Sequence, residues 1–424
     1  MKKSVILMVG ALAASFAQAS HAATQQELEA RLDALAAQVV ELQTELAELK
    51  AQKPAAATPG AGLADDRSMA ASGETASKLS WSGYGELNYS RPSAGGRNAV
   101  ADAGRFVLGA SYRFDERTRF VSELELEHAI ASAADPGEIE LEQAYIERRM
   151  NDALFAKLGL FLMPIGLLNE NHEPTRYYGV FRNFVETAII PTTWREGGVA
   201  LEGNTDNGIR WNAGVSTGFD LARWDATSGE GLESPLGAIH QELALARAGD
   251  LAGFIAVNYT GMPGLRLGAS IFTGDSAQGQ PGFDSNRVTL WEGHARWNPG
   301  DWDFAGLYAR GRISNTAAVN LPLVGNRTLI PESFFGWYLQ AAYRAELPNA
   351  WALTPFARYE RFNTAASYAS LGAGLTPSAL DDEQVFTAGF NVEIASGVVL
   401  KLDYQRFQRD NASDRFDFGV GYQF

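Results

Sequence analysis

The 424-residue chain has no cysteine, which excludes disulfide frameworks and thiolate metal sites. Its five histidines are scattered, with no H-E-x-x-H pair, so neither a metal centre nor a cofactor is predicted. Basic charge is also in deficit: the formal net charge is −15, which argues against a nucleic-acid partner. Beyond the N-terminal segment no run of about 18 apolar residues exists, so no membrane helix is expected. If the chain crosses a membrane, it does so as a closed β-barrel. A hydrophobic content of 46% suits a soluble domain as well as a barrel with a wet interior.

The N-terminus narrows the choice. Met1, Lys2 and Lys3 precede VILMVGALAASFA, an apolar run too short to span a bilayer, and small residues permit cleavage after Ala19 or Ala22. Residues 1–22 are read as a signal peptide. In 24–52 the apolar residues Leu28, Leu32, Leu35, Val39, Leu42, Leu46 and Leu49 step alternately by four and three, the spacing of a coiled-coil helix. One amphipathic helix lying on its own protein is the other reading of that pattern. Residues 53–79, rich in Ala, Pro, Gly and Ser, form a flexible linker.

From residue 80 to 424 the chain repeats segments of about ten residues with alternating polarity, each ended by turn residues. The first runs from Trp81 to Ser90 and the last from Arg415 to Phe424. Sixteen strands are expected, and their connections alternate in length. Short ones, such as DER at 115–117, MND at 150–152 and ASG at 395–397, separate long ones, such as 220–248, 313–333 and 363–383. Short turns on one rim and long loops on the other mark an outer-membrane barrel. The predicted fold is therefore all-β: a sixteen-stranded antiparallel transmembrane β-barrel with an N-terminal coiled-coil helix, the helix lying in the periplasm. In the last strand Phe416, Phe418, Val420, Tyr422 and Phe424 share one face, expected to meet lipid, and Tyr422 and Phe424 form a candidate barrel-insertion signal.

The other parity faces the lumen. In SELELEHA it turns Arg119, Glu123, Glu125 and Glu127 inward; in the partner strand Glu138, Glu140 and Glu142 follow, a register that would send Gln143 into lipid. Between residues 80 and 424 stand 41 acidic and 28 basic side chains, of which 26 are Arg and only Lys157 and Lys401 are Lys. Arginine keeps its charge and presents a planar fork suited to carboxylate or phosphate. Arg105, Arg113, Arg119, Arg210, Arg266 and Arg296 are expected in the vestibules. Arg310 and Arg358, near mid-strand, are expected at a constriction with Lys157, Lys401, Glu125 and Glu140. Neutralising the acidic wall is an equally simple role for these arginines. The longest connection, about 164–196, carries Tyr177, Tyr178, Phe181, Phe184, Ile189 and Ile190, too many large apolar groups for a disordered loop. Folded inward, it would edge the pore with Glu170, Glu173, Arg176 and Arg182; an external loop packed on its neighbours is the alternative.

SELELEHA, GEIELEQAYIE and the run GLFLMPIGLLNENHEPTRYYGVFRNFVETAIIPTTWREGGVALEG resemble the phosphate-selective porin O and P family over roughly residues 80–424, most densely over 118–203. The resemblance implies a trimer of sixteen-stranded barrels with inward-folded loops and an arginine ladder guiding anions. Family members selective for phosphate also carry lysine clusters, which two barrel lysines do not supply. The N-terminal heptads are similar to those of coiled-coil porins proposed to pass dicarboxylates. The expected function is a passive outer-membrane channel for small hydrophilic solutes, anion-preferring for phosphate or similar ions. Its expected partners are outer-membrane lipid, two further copies of itself, small inorganic or organic ions and, through the coiled coil, the cell wall. A general or cation-leaning porin with a structural coiled coil, an adhesin and an outer-membrane hydrolase are the competing readings. No catalytic residue is assigned, because no histidine has an evident serine partner.

Overall fold

The computed structural model describes residues 77–93, 98–132 and 135–424. The expected signal peptide 1–22, the coiled coil 24–52 and the linker up to residue 76 lie outside the described residues. Sixteen antiparallel strands close into one barrel. In chain order they are β1 (Leu79–Pro92), β2 (Val100–Arg113), β3 (Thr118–Glu127), β4 (Ile139–Arg149), β5 (Leu154–Leu162), β6 (Arg195–Asn204), β7 (Ile209–Ser216) and β8 (Ala252–Tyr259). The second half comprises β9 (Leu265–Asp275), β10 (Arg287–Trp297), β11 (Trp302–Ile313), β12 (Ser333–Tyr343, prolonged by Ala345–Glu346), β13 (Ala352–Ser367), β14 (Glu383–Ala395), β15 (Val398–Phe407) and β16 (Arg415–Gln423). Each strand pairs with its sequence neighbours, and β1 pairs with both β2 and β16. Tyr84 stands opposite Gln423, and the Gly83 and Phe424 backbones exchange two hydrogen bonds of 3.1 and 2.9 Å, so no edge is left unpaired.

The wall is inside out relative to a soluble domain. Leu108, Leu124, Leu158, Val199, Ile255, Ile271, Leu339, Phe386, Leu402, Phe416 and Phe418 all point outward and exposed, whereas Glu147, Asn212, Glu292, Thr387 and Asp417 point inward and buried. Such a surface is stable against hydrocarbon and not against water. At the short-turn end Trp297, Trp302, Phe304 and Tyr343 cluster with ring centroids 5.0–6.0 Å apart, as in the aromatic girdle of a transmembrane barrel.

One expected side-chain placement is corrected. Gln143 does not face lipid: in the β3–β4 ladder Glu123 pairs with Gln143 and Leu124 with Leu141, so Glu142 is an extra residue in a β-bulge. The bulge resets the alternation, and both Glu142 and Gln143 reach the lumen, where Gln143 Nε2 donates to Glu123 Oε2 at 2.6 Å. Removing an amide from hydrocarbon offsets the one ladder position lost.

Candidate pore constriction

The connection 163–194 between β5 and β6 folds into the barrel and crosses it. At its stem Asn169 Nδ2 donates to the carbonyls of Met163 and Trp194, both at 2.8 Å, and Asn169 Oδ1 accepts from Trp194 N at 2.7 Å. One asparagine thus ties the loop's entrance to its exit. Gly166 follows in the left-handed region (φ +82°), where a Cβ would stand 2.6 Å from a Glu186 carboxylate oxygen. The space is used: Glu186 Oε2 accepts from the amides of Leu167 and Leu168, each at 2.7 Å, while Oε1 accepts from Asn183 Nδ2 at 3.1 Å and the Tyr338 hydroxyl at 2.8 Å. Glu186 is the second residue of the wide helical turn Val185–Ile189, closed by the Ile190 amide on the Val185 carbonyl at 3.0 Å.

The far side of the loop is hydrogen-bonded to acceptors on the opposite wall. Tyr177 donates to Glu86 (2.8 Å), Tyr178 to Asp303 (2.9 Å), the Val180 amide to Asp403 (2.6 Å) and the Phe184 amide to Glu360 (2.6 Å). Arg105 Nη2 donates to the His172 carbonyl (2.7 Å) and Arg358 Nη1 to the Tyr178 carbonyl (3.1 Å). Tyr178 stacks on Phe356, and Phe184 on Phe362. Glycine makes the room in β16: a Cβ on Gly421 would lie 2.5 Å from Pro174, and one on Gly419 would lie 3.0 Å from Val180. The inward glycines of RFDFGVGYQF are therefore where the loop passes.

The expected constriction residues separate into groups. Arg310 is on the outer face: it pairs in register with outward Trp291, while Ala309 and Gly311 point inward, so it does not line the pore. Inward positions of β11 carry Asp303, Ala305, Leu307, Ala309, Gly311 and Ile313, and the parity assumed from the sequence is off by one. Arg358, 2% exposed, lies beneath the loop and bonds Glu360 at 2.7 Å. Lys401 is covered by the Tyr177 ring, 3.6 Å from its centroid. Lys157 meets Glu202 at 3.4 Å and lies 5.3 Å from the centre of the Tyr145 ring. These three cations are therefore held inside the wall and present little surface to a solute. Glu140 pairs with Arg195 at 2.5 Å, and Glu125 is buried. Of the loop residues, Glu170 is exposed, Glu173, Arg176 and Arg182 are half-buried, and Arg182 donates to Thr193 at 2.9 Å within the loop.

Most vestibule arginines have acid partners. Arg105 meets Glu86 (2.8 Å), Arg119 meets Glu147 (2.8 Å), Arg210 meets Glu202 (3.0 Å) and Arg296 grips Asp303 (2.6 Å). Arg113 stands at the short-turn rim, exposed. Arg266 differs: its Nε donates to Asn258 at 2.9 Å, and it feels Glu170 of the loop together with Arg210 and Arg296 on neighbouring strands. Sequence reasoning did not single out Asn169, Glu186, Glu86, Asp303 and Asp403 as loop acceptors. Inward parity marks Glu86 and Asp403; Asp303 lies on the β11 face that the assumed parity turned outward, and Asn169 and Glu186 lie in the loop, where no periodicity points to them.

No family model matches the chain. A protein of Aquifex aeolicus (strain VF5), described as an uncharacterized protein, is 30% identical over 339 residues, covering 77% of this chain and 75% of that one. The chain belongs to that protein's family. Among solved structures, OmpF of Salmonella typhi, in a complex with daunomycin, superposes with a TM-score of 0.58 at 13% identity, covering 82% of this chain and 97% of that one. The outer membrane channel DcaP of Acinetobacter baumannii superposes at 0.53 with 15% identity, over 82% and 97% of the two chains. A loop L8 deletion mutant of OmpT, an outer membrane protein of Vibrio cholerae, superposes at 0.52 with 11% identity, over 82% and 99%. At these identities the likeness establishes the fold, a porin-like barrel.

Proposed function

We propose that the protein is a porin of the outer membrane, a passive diffusion channel for small hydrophilic solutes that prefers anions. The carrying observation is the loop 163–194 crossing the lumen, with Arg176, Arg182, Arg210, Arg266 and Arg296 half-buried around it. Charged groups at a narrowing set ion selectivity, and Arg266, bonded to an amide rather than to an acid, keeps its charge uncompensated by a direct partner. Phosphate, by resemblance to the porin O and P family, and dicarboxylates, by resemblance of the heptads, are the anion classes to test. The functional unit in this reading is a trimer in the outer membrane, with the coiled coil in the periplasm. The reading is not enzymatic: among the described residues the histidines face carboxylates, amides, carbonyls and a tyrosine, and none faces a serine hydroxyl.

The test is the reversal potential of the purified protein in a planar bilayer across a salt gradient, repeated with phosphate and with a dicarboxylate as competitors. Anion selectivity that falls in Arg266→Gln and is unchanged in the outward-facing Arg310→Gln is expected. Cation selectivity in the wild-type protein overturns the anion preference, and absence of conductance overturns the channel.

A further inference from the structure

We propose that Glu123, Glu142 and His172 bind a divalent first-row transition-metal ion of the zinc type, which clamps the lumen-crossing loop to the β3–β4 wall. One donor atom from each residue lies within 4.8 Å of the others. A tetrahedral ion with bonds of roughly 2.0–2.2 Å holds its donors about 3.3–3.6 Å apart, so closure needs the donors to approach one another by up to about 1.5 Å, within reach of side-chain rotation.

Two independent features separate this cluster from an ordinary acidic patch. The first is the orientation of the imidazole. His172 Nδ1 faces the Asn169 carbonyl at 2.9 Å, a contact that places a proton on Nδ1, so that the neutral imidazole turns its Nε2 lone pair toward the carboxylates. That is the outer-shell contact by which proteins orient a metal-bound histidine. The second is a deficit of donors at buried acceptors. Glu142 is fully buried, and its Oε1 has no hydrogen-bond partner, standing 3.5 Å from His172 Nε2. Glu125, beside it, carries another buried oxygen without a partner. The Tyr84 hydroxyl lies 2.9 Å from Glu142 Oε2 and 2.5 Å from His172 Nε2, and has one hydrogen for the two. Arg105 is engaged elsewhere, donating to Glu86 and to the His172 carbonyl. A cation supplies the positive charge these acceptors lack.

The donor set names the class of ion. One imidazole nitrogen with carboxylate oxygens suits zinc, iron or manganese, whereas calcium and magnesium favour all-oxygen shells. Glu142 keeps the inward parity of Glu140, and the β-bulge beside it turns Gln143 inward as well, where Gln143 bonds Glu123 at the edge of the site.

The experiment uses the purified full-length protein, stripped with a chelator and titrated with zinc by calorimetry and with cobalt by visible absorption. Wild-type protein is expected to bind one ion per chain and to give a cobalt spectrum of nitrogen and oxygen ligation. Glu142→Gln and His172→Gln are each expected to weaken binding at least about tenfold and to abolish that spectrum. Heat-modifiable migration checks that each variant still forms a barrel, and Glu123→Gln, at a less buried position, replaces either one that does not. No zinc bound by the stripped wild-type chain, or equal binding by folded variants, overturns the proposal.

Discussion

Replacing Glu186 should loosen the stem of the loop while leaving the barrel standing. The carboxylate is 4% exposed and accepts four hydrogen bonds, from the Leu167 and Leu168 amides, Asn183 and Tyr338. In Glu186→Ala, three of those donors, the two amides and the Tyr338 hydroxyl, lose the acceptor that lets them stay away from water. An orphaned buried donor costs about 1–3 kcal/mol, so the docked loop loses at least roughly 3 kcal/mol, a shift on the order of a hundredfold in its docking equilibrium. The ladders between strands are untouched, so the folded barrel persists. Glu186→Gln keeps one acceptor for the two amides and should cost nearer 1–2 kcal/mol, through loss of charge assistance. Single-channel recording is the assay: the alanine variant should show higher mean conductance with frequent transitions between levels, and the glutamine variant a smaller change. An alanine variant that matches the wild type in both conductance and noise would refute the reasoning, because the loop would then be held by something other than this carboxylate.

Three further outcomes follow from the same geometry. Gly421→Val places a branched side chain where Pro174 already stands 2.5 Å from a Cβ, so the loop must shift, and limited proteolysis of folded protein should cut within 163–194 where the wild type resists. Phe424→Ser removes an exposed aromatic at the point where β1 and β16 close the barrel, and heat-modifiable migration should show slower assembly of the same final barrel. For the trimer proposed above, deleting 24–52 should lower the temperature of its dissociation in detergent without closing the barrel lumen; an unchanged dissociation temperature would exclude an assembly role for that segment.

The strands were legible because a barrel wall imposes period-two polarity against two different solvents, and their ends matched to within a few residues where turn residues punctuate them. What parity cannot carry is a place where the ladder slips or where both faces are apolar. Gln143 is the first case: a bulge at Glu142 inserts one residue, and nothing in GEIELEQAYIE marks it apart from the cost of the alternative. Arg310 is the second. In LYARGRI both faces of β11 look alike, because inward Leu307 and Ala309 are buried under the loops, so the arginine was assigned to the lumen for want of contrast. The loop's aromatic residues announced that 163–194 is ordered. Its acceptors did not, because they come from β1, β11, β13, β14 and β15, and only the closed barrel brings them together.

The loss of alternation in that region has a physical origin that bears on how the loop is held. Along β8 to β11 the inward row changes character from one end to the other. At the short-turn end it carries Asn258, Arg266, Arg296 and Asp303; toward the long-loop end it carries Phe254, Phe272, Leu290, Val288, Ala309 and Ile313. The apolar half is covered by Ile165, Val185, Ile189 and Trp194 of the lumen-crossing loop and by Phe219, Trp224, Leu236 and Ile239 of the next long loop, forming one buried core inside the barrel. Trp194, Phe219 and Phe272 meet there with centroids 4.7–5.3 Å apart. A barrel of this width without such a core would hold a water-filled lumen and a loop anchored by hydrogen bonds alone. Burying several large side chains at about 1.5–3 kcal/mol each makes the loop part of the wall on this side. Its polar contacts with Glu86, Asp303, Glu360 and Asp403 then set position on the other side and need not supply the stability. Breaking one of those far-side bonds should therefore alter selectivity before it alters conductance, whereas cutting into the Trp194 cluster should open the channel.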